Sequence, residues 1–262
     1  MAVAFAVMVQ VARPTGCHWS SPQDRRMERH DITGNAPHDA TPLAEVPYAN
    51  CCSRKTPMDK IRFTGKIISV KARIRLIRSF DQVPTHQYQG YTLILDGEVD
   101  GMPRDRMKVA IGPKAHEQQQ FRIGDAIRGH ATPVQDAETE WAEFYKVSGL
   151  QLIERTHPDD WPPGPDGGIA PPLEQYRAQG HFRLKRETCE TECVQCPFGL
   201  TMSTQIILDH WNPSIVKWRF ETHCYGPRGC PRYKAGPAYR VPGRSLGMVY
   251  IDNDVEREAR GE

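Results

Sequence analysis

The cysteines of this chain are concentrated near its C-terminal end. Five of the eight lie within 42 residues, in the pattern Cys189-x3-Cys193-x2-Cys196 followed by Cys224-x5-Cys230. Short spacers between thiols let one turn of a loop supply two ligands, so two such groups around a longer segment are typical of a tetrathiolate metal site. A metal bound there would stabilise a small module that has little apolar bulk of its own.

The best ligand set in this pattern consists of two thiol pairs. The four predicted ligands are Cys193, Cys196, Cys224 and Cys230. Cys189 is an alternative ligand, and a thiolate could be replaced by His210 or His223. Two other interpretations are reduced thiols that pack as small hydrophobic side chains, and disulfides.

The segment between the two thiol pairs has the pattern of a β-hairpin. Residues 205–211 and 215–222 are predicted strands, and Val216, Trp218 and Phe220 alternate with charged residues in the second. A hairpin between two thiol pairs resembles a zinc ribbon, and the resemblance implies a closed structural zinc site. The gap of 27 residues between the pairs is longer than in the usual pattern, and the second pair encloses five residues rather than two.

An iron–sulfur cluster is the alternative to zinc. The spacing Cys189-x3-Cys193-x2-Cys196 is similar to that of the cluster ligands in radical S-adenosylmethionine enzymes, and a fourth thiolate would complete a 4Fe-4S site. Gln195 stands where those enzymes usually carry an aromatic residue, and only 66 residues follow Cys196. That is too little chain for the partial barrel of that superfamily. We therefore expect zinc, with a structural 4Fe-4S cluster as the alternative.

Residues 61–155 contain five strand patterns and one short helix. In the first strand, apolar residues alternate with Lys71, Arg73 and Arg75, so these three cations are predicted to line its outer face. The elements in chain order are a strand at 70–76, strands at 91–95 and 107–111, a helix at 113–120, a turn and strand within 121–129, and a strand at 144–153.

Five strands with a helix between the third and the fourth resemble an OB-fold, a small Greek-key barrel. The turn at Gly124-Asp125 is similar to the entry to the fourth strand in many OB-fold domains. The resemblance implies a mostly β fold, with an OB-like five-stranded barrel plus a small metal-bound β-hairpin module. Other small five-stranded barrels would produce the same pattern.

Composition and patterning divide the chain into five segments. Residues 1–58 show no sustained periodicity and are predicted to be disordered, and Met58 is a second candidate for the start of the protein. The remaining segments are an OB-like barrel at 59–156, a Pro/Gly-rich linker at 157–180, a Cys-rich metal-binding module at 181–247 and an acidic tail at 248–262.

The C-terminal module is rich in cations and aromatic rings. Residues 214–247 contain seven Lys or Arg and a single acid, Glu221, with tyrosines between them. Cations with interleaved flat rings suit single-stranded nucleic acid, because they neutralise phosphates and stack on bases. The predicted contact residues are Lys71, Arg73, Arg75, Arg228, Arg232, Lys234 and Arg240.

The sequence therefore predicts a single-stranded DNA- or RNA-binding protein with a structural metal site. The alternatives are a protein-interaction or assembly module, and an iron–sulfur protein acting in redox chemistry or nucleic-acid processing. No phosphate-binding Gly loop or nucleophile elbow is present, so catalysis is not expected, and His116 and His130 are predicted at the surface. No apolar run reaches the length of a membrane-spanning helix, and clustered thiols without a clear signal peptide favour the cytoplasm.

Overall fold

The structure, a computed structural model, describes residues 59–80, 84–160, 168–227, 229–244 and 247–251, all within one unit that spans residues 55–262. The protein is mostly β, as predicted, with 51% of these residues in strands and 13% in helices. Its elements are β1 (Ile61–Arg78), β2 (Thr85–Val99), β3 (Met102–Ile111), α1 (Pro113–Gln119), β4 (Ala126–Pro133), β5 (Phe144–Glu154), α2 (Leu173–Gln179), β6 (Phe182–Arg183), α3 (Arg186–Thr191), β7 (Gly199–Ile207), β8 (Val216–Cys224), β9 (Arg240–Pro242) and β10 (Val249–Ile251). The predictions for residues 1–58 and for most of the acidic tail lie outside the described residues.

The first five strands form a partly closed ring. β1 pairs with both β2 and β4, and the order around the ring is β1-β2-β3-β5-β4. Every pairing is antiparallel except the one between β3 and β5, which is parallel and joins only Val109 to Phe144. Each predicted strand overlaps an observed one, and the predicted helix corresponds to α1 between β3 and β4.

β1 has different neighbours along its length. Its first residues, Ile61–Lys66, pair with β4, and its last residues, Arg75–Arg78, pair in parallel with β7. The sheet therefore continues from the ring into β7, β8 and β6. Residues 69–72 are all buried, because this part of β1 is covered on both faces rather than on one.

The main core fills the ring and extends under α2. Phe63, Leu93 and Met107 are among its fully buried side chains. Leu173 and Tyr176 of α2 belong to the same core, so part of the predicted linker packs against the ring. No helix of the described residues is long and apolar enough to cross a membrane.

α1 places a histidine in the interior. His116 is 4% exposed, its ring lies 4.1 Å from that of Tyr91 between centroids, and its Nε2 is 3.1 Å from the carbonyl oxygen of Ala170. The prediction that His116 lies at the surface is therefore wrong. The reason is that α1 folds back over β2, a contact that local sequence patterning does not reveal.

The predicted hairpin is present with shifted bounds. Its first strand begins at Gly199, six residues before the predicted start, and ends at Ile207. The alternation of Val216, Trp218 and Phe220 with charged residues in β8 does not follow burial, because Phe220 is 40% exposed while Glu221 and His223 are fully buried. β8 lies between β7 and β6, and the side chains of Arg78 and His181 pack against the face that carries these two polar residues.

Candidate metal centre

Four of the clustered cysteines come from three neighbouring pieces of chain. Cys189 is in α3, Cys193 and Cys196 are in the turn that follows α3, and Cys224 is the last residue of β8. The antiparallel pairing of β7 with β8 places Cys224 directly opposite Gly199, which follows the turn after only two residues. Strand register therefore brings together thiols that are far apart in sequence.

These cysteines form a small cluster with few apolar neighbours. Cys189, Cys193, Cys224 and Leu184 are buried together. The side chains packed against them are Cys196, Phe198 and Tyr233. Among the described residues, Phe198 and Tyr233 are the two apolar side chains that join Leu184 in this cluster, so apolar packing supplies little stabilisation here.

The backbone approaches the thiols closely at Gly199. A Cβ atom at this position would lie 2.7 Å from Cβ of Cys193, which is closer than real Cβ contacts. Only glycine therefore allows β7 to start against the turn without displacing Cys193. On the opposite side, the backbone N–H of Gly226 donates a hydrogen bond to Sγ of Cys224 at 3.3 Å.

Lys71 connects β1 to the cysteine turn. It is 4% exposed, and its Nζ donates hydrogen bonds to the carbonyl oxygens of Cys193 (2.8 Å), Cys196 (2.9 Å) and Gly199 (2.6 Å). Three accepting carbonyls use all three protons of an ammonium group, whereas a neutral amine would have only two to donate. The turn is therefore organised around a positive charge.

Four cysteines lie near enough to this buried charge to act on its pKa. Burial lowers the pKa of Lys71, and the thiols that act against this shift are those of Cys189, Cys196, Cys193 and Cys224. No carboxylate of the described residues forms an ion pair with Lys71. A buried charge without a counter-charge is costly, so an anion at the thiols would be strongly stabilised.

The thiols of Cys189 and Cys193 are neutral in the arrangement that the structure describes. Burial raises the pKa of Cys193 to about 12 and also raises the pKa of Cys189. Among the residues described, no three His, Cys, Asp or Glu side chains lie in an arrangement that could hold a metal ion. The four sulfur atoms therefore lie in one cluster, but they are too far from any single point to coordinate one metal ion in this arrangement.

The cluster differs from the predicted ligand quartet in one member. Cys230 is partly exposed and is not part of the buried cluster, whereas Cys189, the alternative ligand of the sequence analysis, is. The backbone N–H of Cys230 donates to the carbonyl of Pro227, which holds its own turn beyond β8. The buried thiol cluster therefore contains Cys189 and does not contain Cys230.

The cations predicted on the first strand do not form a basic outer face. Lys71 is buried, so that part of the prediction is wrong. Arg73 is hydrogen-bonded to Glu140, and its Nε lies 3.2 Å from Oε1 of that residue. Arg75 lies 3.9 Å from Glu140 Oε2 and places its guanidinium 5.1 Å from the ring centroid of Trp218. The second half of β1 is covered by β7 and by the loop that carries Glu140. Arg73 and Arg75 therefore interact with residues of the protein itself.

The described C-terminal cations that were predicted to contact nucleic acid are exposed, but two of them already interact with Glu192. Lys234 forms an ion pair with Glu192 at 2.6 Å, and Nη1 of Arg232 is 3.5 Å from the carbonyl oxygen of Glu192. Arg240 is exposed in β9. Arg228 lies outside the described residues. The structure therefore does not bring these cations and those of β1 onto one uninterrupted surface.

A buried polar cluster next to Cys224 was not predicted. Arg78 and Glu221, both almost fully buried, are joined through Nη2 and Oε2 at 2.7 Å, and Arg219 also donates to Glu221. His181 stacks edge-on against His223 with ring centroids 4.5 Å apart, and His86 lies 4.8 Å from His181. Burial lowers the pKa of His223, so its imidazole is neutral. The sequence offers one signal for this cluster, the polar residues Glu221 and His223 at alternate positions of a strand.

Comparisons with known proteins provide no relative. No protein-family model matches the chain, and no curated protein or solved structure is significantly similar to it.

Proposed function

We propose that this is a metal–thiolate protein in which Cys189, Cys193, Cys196 and Cys224 hold a structural metal. The observation that supports this proposal is the clustering of four thiols at a turn whose carbonyls bind the buried Nζ of Lys71. Four thiolates with one divalent ion carry a net charge of two minus, and Lys71 supplies a buried counter-charge. Sγ atoms must lie about 2.3 Å from zinc, so binding requires the cysteine side chains to rotate toward a common point.

Zinc is the proposed metal. A closed set of four thiolates with no open position for water is the usual arrangement of a structural zinc site. A 4Fe-4S cluster is the alternative, favoured by the spacing of Cys189, Cys193 and Cys196. In either case the metal would fasten α3 and its turn to the end of β8.

The deciding experiment is metal analysis and an absorption spectrum of protein purified without oxygen. We expect one zinc per chain and a colourless sample, whereas a brown sample with a broad band in the visible range would identify the cluster. Replacing Cys224 or Cys189 by Ser should release the metal, and Cys230→Ser is the matched control that should retain it. Wild-type protein without zinc or iron would refute the proposal. If Cys230→Ser lost the metal and Cys189→Ser kept it, the ligands would be those predicted from the sequence, with Cys230 in place of Cys189.

A second candidate function is single-stranded nucleic-acid binding by an OB-like barrel. The ring order β1-β2-β3-β5-β4 with a helix between β3 and β4 supports this proposal, because it resembles the strand plan of OB-folds, many of which bind oligonucleotides. Fold alone does not establish function, so the proposal depends on a measurement. Fluorescence anisotropy with a labelled oligonucleotide at low and moderate salt tests it, since binding through phosphates weakens steeply as salt rises.

The competing possibility is a protein-interaction module. Trp211, in the loop between β7 and β8, is 86% exposed, and Leu208 and Ile215 beside it are also exposed. Exposed large apolar side chains that lie together mark contact surfaces more often than scattered ones do. Failure to bind any oligonucleotide at low salt, together with a nuclease-resistant protein partner lost on Trp211→Ala, would favour this alternative.

A further inference from the structure

A groove with cationic walls lies on the outer face of β1, β4 and β5, away from the cations that the sequence predicted. It has a volume of about 580 Å³, and its polar lining residues are Arg62, Thr64, Arg128, His130 and Gln151. These side chains are exposed, because they occupy the strand positions opposite those that fill the ring. Their buried neighbours, such as Phe63 and Ile127, point into the core.

Strand register places the cations side by side. Arg62 is directly opposite His130, and Thr64 is directly opposite Arg128. Residues two apart on one strand are about 6.8 Å apart, a step comparable to that between successive phosphates of an extended nucleic-acid strand. Arg62 and Arg128 lie on adjacent strands and are offset by one such step along the strand direction.

A β-bulge shapes the floor of the groove. Arg128 is opposite Gln151 and His130 is opposite Ser148, so β5 contains one more residue than β4 across this interval. Gly149 lies in the bulge with φ of 60°, and a Cβ atom there would be 3.6 Å from Nδ1 of His130. Because Gly149 has no side chain, the space beside His130 stays open.

The charges in this groove are not neutralised by carboxylates. Nε of Arg128 donates to Oε1 of Gln151 at 2.9 Å, which orients the guanidinium without neutralising it. Within the described parts of the chain, neither Arg62 nor Arg128 forms an ion pair. By contrast, Arg104 and Arg186 each have a carboxylate partner, at 2.9 Å and 2.7 Å respectively.

Acidic residues flank the groove on its β2 side. Asp96 and Glu98 of β2 lie opposite Lys66 and Thr64 across β1. A polyanion would be repelled from the β2 side and attracted toward β4 and β5. The cationic path therefore runs across β1 and β4 rather than over the whole outer face.

We propose that Arg62, Arg128 and His130 form a groove that binds the phosphodiester backbone of a single nucleic-acid strand. This inference rests on the nucleic-acid candidate above and assigns its contact surface. Arg62 and Arg128 contact phosphate oxygens, and the bulge at Gly149 gives the strand room to pass between them. The lining of the groove contains no Phe, Tyr or Trp ring on which a base could stack. We therefore expect it to recognise the charge and spacing of phosphates and not the sequence of bases.

The test compares three full-length proteins by fluorescence anisotropy, using a fluorescein-labelled oligodeoxythymidylate and its duplex form over a range of salt concentrations. In the groove variant, Arg62→Gln/Arg128→Gln, affinity for the single strand should fall about tenfold at low salt. The slope of log affinity against log salt should flatten by about 1.4, since each phosphate contact contributes about 0.7 for a single strand. The matched control, Arg104→Gln/Arg186→Gln, removes the same charge from ion-paired positions and should bind like wild type.

The outcomes separate this inference from the function on which it rests. Wild-type protein that binds no oligonucleotide would refute both. If wild type binds and the groove variant binds equally well, the groove is not the contact surface, although the nucleic-acid function would still hold. An equal loss in the control variant would show a net-charge effect and would also refute the groove, and tighter binding to the duplex would overturn the assignment to a single strand.

Discussion

Arg78 at the end of β1 and Glu221 in β8 form a buried ion pair in which Nε and Nη2 of the arginine both donate to the carboxylate. The pair joins two strands that are separated by 143 residues and are not adjacent in the sheet. Both side chains are 1% exposed or less. The buried charge of Arg78 is compensated by Glu221, whose carboxylate also accepts a hydrogen bond from Arg219.

Removing one member of this pair should be strongly destabilising. Arg78→Met should lower the free energy of unfolding by about 3–5 kcal/mol, because the buried carboxylate of Glu221 would lose one of its two arginine partners and keep only the hydrogen bond from Arg219 among the described residues. The double variant Arg78→Met/Glu221→Gln should recover part of the loss. Urea unfolding followed by circular dichroism measures both. A double variant that is less stable than the sum of the single changes would contradict this account.

Replacing Lys71 should uncouple β1 from the cysteine turn. Lys71→Met keeps the aliphatic stem but leaves the carbonyls of Cys193, Cys196 and Gly199 without their donor. We expect a loss of about 2–3 kcal/mol, or roughly 5–10 °C in the thermal midpoint for a unit of this size. If the proposed metal is present, a chelator should also remove it faster. The control is Lys66→Met, an exposed lysine on the same strand.

Stability should decrease in mild acid because of His116. Burial lowers the pKa of this imidazole, although its hydrogen bond to Ala170 and the nearby Glu117 act in the opposite direction. Below the unfolded pKa of about 6.5, the unfolded chain binds a proton that the folded chain does not, so the free energy of unfolding falls as pH falls. His116→Gln should show a smaller loss than wild type between about pH 7.5 and about pH 5. Exposed His130→Gln should behave like wild type, and identical pH profiles for wild type and His116→Gln would disprove the prediction.

A methyl group at Gly199 should disrupt the cysteine cluster. The Cβ of Gly199→Ala would meet Cβ of Cys193 at 2.7 Å, and neither atom is at the end of a flexible chain. We expect a loss of about 1–3 kcal/mol, as for other overpacked sites. Gly229→Ala is the control, because a Cβ there meets nothing within 4 Å. Thermal unfolding of the two variants would show whether the crowding is relieved by movement of the turn.

The sequence by itself determined the local elements of this protein. Alternation of apolar and polar residues located the strands of the ring, and the helix at 113–120 was found in its place between β3 and β4. These features are local, because a period of two residues defines the two faces of a strand. The spacing of the cysteines likewise identified the region in which the thiols meet.

Only the tertiary structure decided which of those faces is covered. Lys71 lies on a face that alternation marks as solvent-exposed, yet β7 and the cysteine turn bury it. Long-range pairing also brings Glu221 to Arg78 and Cys189 to Cys224, which are far apart in the sequence. Long-range pairing of this kind leaves no periodic trace in the sequence, because any strand with two usable edges can accept several neighbours. The identity of the buried charges, and the inclusion of Cys189 in the thiol cluster, therefore follow from the fold alone.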